Sequence, residues 1–113
     1  MILKVEINER IENIYKSSLL VDFEEKKVTY MKGEVVLANK TLKASVRELT
    51  QILKNYLVYW KNEEISTESE NNRVVSIDIE TDTKTYNYHF ENVFPNDLEE
   101  FMKVFKDCLE IEL

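Results

Sequence analysis

Ser76, Asp78 and His89 are the residue types of a hydrolase triad, and one hairpin register brings them within reach of each other. In residues 73–91, Val75, Ile77 and Ile79 alternate with Ser76, Asp78 and Glu80. Tyr86, Tyr88 and Phe90 alternate with Asn87, His89 and Glu91. A turn centred on Asp82-Thr83 sets Ile79 opposite Tyr86, Ile77 opposite Tyr88 and Val75 opposite Phe90, so the apolar pairs share one face. The polar face then holds His89 directly across from Ser76, with Asp78 diagonal to it. Nucleophilic catalysis asks for a serine on a strained, exposed turn, a histidine bonded to it, and donors for an oxyanion. Here all three residues fall in mid-strand with no glycine turn beside them. The favoured reading is a solvated sheet face, with no catalytic residue assigned and no enzyme activity expected.

The same face offers a second chemistry, because His89, Asp78, Glu80 and Glu91 are all metal-ligand types. Zinc favours His and Cys ligands, and a catalytic zinc usually takes three protein ligands. One histidine among scattered carboxylates falls short of that. A calcium loop needs a compact run of oxygen donors around a glycine, and none exists here. No metal site and no cofactor is expected. The lone Cys108 falls late in an amphipathic stretch and reads as a structural thiol. It excludes an internal disulfide and any zinc site built on paired cysteines. Gly33 is the single glycine, so a glycine-rich phosphate loop is excluded too.

The elements that carry these residues are legible from periodicity. Residues 3–7 alternate as a half-buried strand would, with an irregular continuation expected after them, while Leu3, Ile7, Ile11 and Ile14 also fit a helix, so strand or helix stays open over residues 1–15. Residues 19–31 read as a first hairpin. A turn centred on Glu25-Lys26 sets Phe23 opposite Val28 and Val21 opposite Tyr30. One or two short strands are expected within 35–44. Residues 45–61 read as a helix, opened by a Ser45–Glu48 capping box, with Val46, Leu49, Leu53, Tyr56 and Trp60 at helical spacing. Tyr59 points off that stripe and is a candidate contact residue. Residues 62–72, NEEISTESENN, lose periodicity and read as an acidic loop. After Pro95, Asn96 and Glu99 form a cap-like pair opening a second helix, whose buried stripe is Leu98, Phe101, Met102, Phe105 and Leu109. The expected fold class is α+β. An antiparallel sheet of about four to five strands, made of two hairpins, carries two amphipathic helices on one face.

Length and composition agree with one domain spanning residues 1–113. At 43% hydrophobic residues the chain has material for a core, which excludes a disordered polymer. The start, MILKVEINER, lacks the apolar run of a signal peptide. No apolar run of membrane-spanning length exists, so the expectation is a cytoplasmic protein without membrane attachment.

Charge layout is the most informative functional feature. The net charge of −7 argues against direct nucleic-acid binding, which needs clustered Lys and Arg. The distribution is uneven: residues 40–61 sum to +4, 62–94 to −6 and 95–113 to −4. Solubility alone explains part of this. The sharper reading is recognition, because an acidic surface steers a basic partner. Its candidate residues are Glu63, Glu64, Glu68 and Glu70 in the loop, Asp78, Glu80, His89 and Glu91 on the hairpin, and Tyr59. In size, charge and layout the chain is similar to small acidic non-catalytic bacterial or phage proteins, such as immunity proteins and inhibitors of defence nucleases. That likeness implies a protein-binding inhibitor that occludes a basic, nucleic-acid-handling partner. Two alternatives stay open. One is a small-ligand-binding domain with a pocket lined by Tyr30, Tyr86, Tyr88 and Trp60. The other is a structural subunit or homodimer meeting through Tyr59 or through Leu20 and Met31.

Overall fold

The computed structural model describes residues 1–12, 14–58, 60 and 72–111. The elements are β1 (Ile2–Ile11), β2 (Tyr15–Asp22), β3 (Lys27–Lys32), β4 (Val35–Thr41), α1 (Val46–Leu57), β5 (Arg73–Thr81), β6 (Thr85–Glu91) and α2 (Leu98–Cys108). The fold is α+β. One antiparallel sheet of six strands, in the order β4-β3-β2-β1-β5-β6, replaces the four to five strands expected.

The N-terminal strand expected at residues 3–7 is longer than its alternation suggested. Its alternation does not lapse after residue 7 but runs on to Ile11, so β1 is a ten-residue central strand. It pairs with β2 on one edge and β5 on the other, and thereby joins the two hairpins into one sheet. A central strand is held by two ladders, which is why an interrupted apolar pattern still extends.

The hairpin of β5 and β6 has the expected register, with Ile79 across from Tyr86, Ile77 from Tyr88 and Val75 from Phe90. The hairpin of β2 and β3 does not. Val21 pairs with Val28 and Leu19 with Tyr30, where a turn at Glu25-Lys26 would have paired Phe23 with Val28. The reason lies in the turn. Asp22 Oδ1 accepts from the backbone N–H groups of Glu24 and Glu25, both at 3.0 Å, and Lys26 takes a left-handed φ of 54°. An aspartate that captures the amides two and three residues on starts the turn earlier than the charge pattern suggests. The shift keeps each side chain on its face, so Val21, Phe23, Val28 and Tyr30 remain buried.

The helices cover one face. Val5, Ile7, Leu19, Val21, Val28, Tyr30, Val75, Ile77, Ile79 and Phe90 from the sheet meet Leu49, Leu53 and Leu57 of α1 and Leu98, Phe101, Met102 and Phe105 of α2. Each such side chain taken fully from water contributes about 1.5–3 kcal/mol before conformational entropy is subtracted. Trp60 closes the end of the core, edge-on to Tyr88, Phe90 and Phe101. Its indole N–H donates to Asp97 Oδ1 at 2.6 Å.

That bond also corrects the start of α2. The cap residue is Asp97, not Asn96, and its side chain makes no capping bond. At α1, Ser45 accepts from the Glu48 N–H at 3.4 Å. The Glu48 carboxylate does not complete a reciprocal box; it accepts a weak bond from Cys108 Sγ at 3.9 Å.

Candidate functional site

With both helices on one side, the polar side chains of β1, β5 and β6 form an open face. Antiparallel register places them in rows. Asn8 lies across from Ser76, and Ser76 across from His89; Glu6 lies across from Asp78, and Asp78 across from Asn87. The sequence pairing of His89 with Ser76 is therefore present, with His89 Nδ1 and Ser76 Oγ 3.1 Å apart. His89 Nε2 sits 4.0 Å from Glu91 Oε2. The serine remains in mid-strand, where flanking backbone N–H groups serve the sheet ladder instead of a reacting oxygen.

Of the residues proposed from sequence for partner contact, Asp78, Glu80, His89 and Glu91 come together on this face. Tyr59, Glu63, Glu64, Glu68 and Glu70 lie outside the described residues. Sequence reasoning missed two further members, Glu6 and Asn8, because they belong to a strand whose neighbour was unknown. Asn8 Nδ2 donates to Glu6 Oε1 at 3.1 Å. Glu6 and Asp78 set like charge against like charge. Burial, then the Glu6 charge, raise the Asp78 carboxyl above the ordinary aspartate value, while His89 opposes the rise. Between Asn8, Arg10, Lys16, Val74, Ser76 and His89 the face dips into a shallow groove of about 310 Å³. Among the described residues, no group of three or more His, Cys, Asp or Glu is placed to hold a metal ion.

The helix-covered side has a different opening. Between α1 and the edge of the β5–β6 hairpin runs a mainly apolar groove of about 520 Å³, lined by Ile2, Leu53, Leu57, Ile79, Tyr86 and Tyr88 among others. Several of the largest exposed hydrophobic residues border it: Met1, Val46, Val58 and Tyr86. Of the four aromatics expected around a pocket, Tyr86 and Tyr88 line it. Tyr30 and Trp60 do not; both are buried in the core, because their strand and helix-end positions point between the layers. Cys108 is half-buried, and burial followed by the Glu48 charge pushes its thiol up, so it stays protonated at neutral pH.

One end of the covered face is polar. Glu9 and Ser17 occupy core-facing positions and are buried, as is Lys106 of α2. Glu9 Oε2 accepts from Arg73 Nε at 2.6 Å, and Arg73 also pairs with Glu99. These residues were legible in principle: Glu9 continues the Val5–Ile7 alternation, and Lys106 follows Met102 by four residues.

No protein-family model matches the chain, and no curated protein or solved structure is significantly similar to it. Among the described residues, no helix is long and apolar enough to cross a membrane.

Proposed function

We propose that the chain is a protein-binding module that presents the polar face of β1, β5 and β6 to a basic partner and blocks that partner by occlusion. The observation that carries this reading is the Glu6–Asp78 pair. Like charges directly opposite on neighbouring strands weaken a sheet, and a fold under selection for stability alone would replace one of them. A cationic side chain from a partner would relieve the repulsion and use both carboxylates at once. Glu80, across from Lys4, and Glu91, in the row of Arg10 and Lys16, flank the pair on either side, and His89 with Ser76 and Asn8 offers hydrogen bonds between them. No direct nucleic-acid contact and no membrane attachment form part of this reading. The test is charge reversal: Asp78→Lys with Glu80→Lys should weaken the complex at least tenfold, while unchanged affinity would move the interface elsewhere.

The apolar groove beside α1 favours a second reading, a small-ligand-binding domain. Its volume of about 520 Å³ falls in the range of ligand pockets, and its exposed rim of Met1, Val46, Val58 and Tyr86 is apolar surface that water disfavours. A thermal-shift screen separates the readings, since a ligand that binds only the native state raises its melting temperature. A homodimer through Leu20 and Met31 on the open face remains the third arrangement, and light scattering tests it.

A further inference from the structure

We propose that Lys106 and Tyr30 form a binding site for a small oxyanion, such as a carboxylate or inorganic phosphate, at the polar end of the helix-covered face. The site is independent of the partner-binding face, which lies on the other side of the sheet.

The placement follows from the strands. One cross-strand row runs Val75, Glu9, Ser17, Lys32, and the next toward the strand ends runs Arg73, Ile11, Tyr15. Tyr30 comes from the apolar row beneath and reaches upward, with Lys106 Nζ 5.1 Å from its ring centre. Lys32 Nζ lies 5.8 Å from the centre of the Tyr15 ring. Tyr15 and Lys32 are half-buried, while Tyr30 and Lys106 are exposed by only 1% and 5%.

The hydrogen-bond accounting leaves donors without an acceptor. Both nearby carboxylates are committed, since Arg73 holds Glu9 and Glu99 together. Lys106 forms no ion pair among the described residues; its ammonium lies over the face of Tyr30, and Glu9 and Glu99 act on it only from beyond ion-pair distance. The buried Tyr30 hydroxyl makes no well-formed hydrogen bond, although the Tyr15 side chain lies close enough to raise its pKa. An unpaired buried polar group costs free energy. Lys32, Arg73 and Lys106 outnumber Glu9 and Glu99 here, so this end is net positive within a chain of net charge −7. A water could satisfy the hydroxyl. An anionic oxygen satisfies the hydroxyl and the ammonium together and removes the charge excess. Glu9 is the opposing negative charge, and Arg73 offsets it.

The protonation states fit a donor pair. Burial, then Tyr15 and Glu9, hold the Tyr30 hydroxyl well above the ordinary tyrosine value, so it keeps its proton. Burial lowers the Lys106 pKa, with Lys32 adding to the fall while Tyr15, Glu9 and Glu99 oppose it. A bound anion would raise it again.

The experiment is a thermal melt of the full chain in sodium phosphate or sodium acetate against sodium chloride at matched ionic strength and pH 7. The wild-type melting temperature should rise saturably with phosphate or acetate, and whichever acts identifies the anion class. Tyr30→Phe removes one unpartnered oxygen, so without phosphate or acetate it should melt no lower than wild type. Its apparent affinity for the anion should fall at least tenfold, and Lys106→Met should abolish the response. The Lys106 ammonium resonance of ¹⁵N-lysine-labelled wild type should shift along the same titration, which keeps the test valid if Lys106→Met does not fold. No saturable response to either anion, or an undiminished response in Tyr30→Phe, would overturn the proposal. So would a lower melting temperature of Tyr30→Phe with no anion effect, which marks a water-satisfied hydroxyl.

Discussion

Asp78 of β5 faces Glu6 of β1 directly across an antiparallel ladder, and no cation from the chain separates them in that row. The neighbour on the other side of Asp78 is Asn87, which is neutral. Like charges so placed should weaken the free protein, and under the proposed function this is where a positive partner group would bind.

Asp78→Asn should therefore stabilise the free protein, by roughly 0.2–1 kcal/mol from relief of the cross-strand repulsion. The pH dependence gives the sign. The folded-state pKa of Asp78 is raised above the ordinary value of 3.8. Its contribution to stability is thus fully present below that value and is lost as pH rises through the folded pKa. The advantage of Asp78→Asn over wild type should grow as pH rises from the ordinary aspartate value of 3.8 through the raised folded pKa, and then level off. Urea unfolding at several pH values measures it, and an advantage that shrinks as pH rises would contradict the assignment.

Trp60→Phe should destabilise the fold by about 1.5–3 kcal/mol through loss of the bond to the Asp97 carboxylate. The three edge-on ring contacts would largely survive. Asp97→Asn keeps an acceptor oxygen and should cost less. Chemical denaturation of both variants checks this, and equal losses would mean that the bond contributes little.

Thr50→Phe places a ring in the groove between α1 and the β5–β6 edge. If that groove takes apolar ligands, the variant should lose at least tenfold in affinity for an apolar fluorescent dye. Partner capture through the open sheet face should be unchanged. Dye titration checks the first expectation, and dye affinity equal to wild type would place uptake elsewhere.

The second hairpin was legible in full because its three apolar pairs agree on one register, and that register alone placed His89 against Ser76. The first hairpin was legible only in face. Its turn depends on Asp22 capturing two amides and on a left-handed Lys26, neither of which the apolar alternation encodes. The reach of β1 was underestimated because its outer half carries Glu9 at a core-facing position, which reads as a break in an apolar pattern. The same blind spot hid the polar end of the core. Glu6 and Asn8 could not be assigned to the candidate site because strand order is a non-local property. Trp60 and Tyr30 would line a pocket only in the ligand-binding alternative; both pack inward, as their places on the helix stripe and on the apolar face of the first hairpin implied.

The most direct measurement immobilises wild type beside the Asp78→Lys, Glu80→Lys double variant and challenges both with lysate of the native host at low salt. Quantitative mass spectrometry then compares what each retains. The occlusion account requires at least one basic protein held by wild type, released by added salt and lost from the double variant. Identical retention by the two columns, or no protein retained by either, would contradict it.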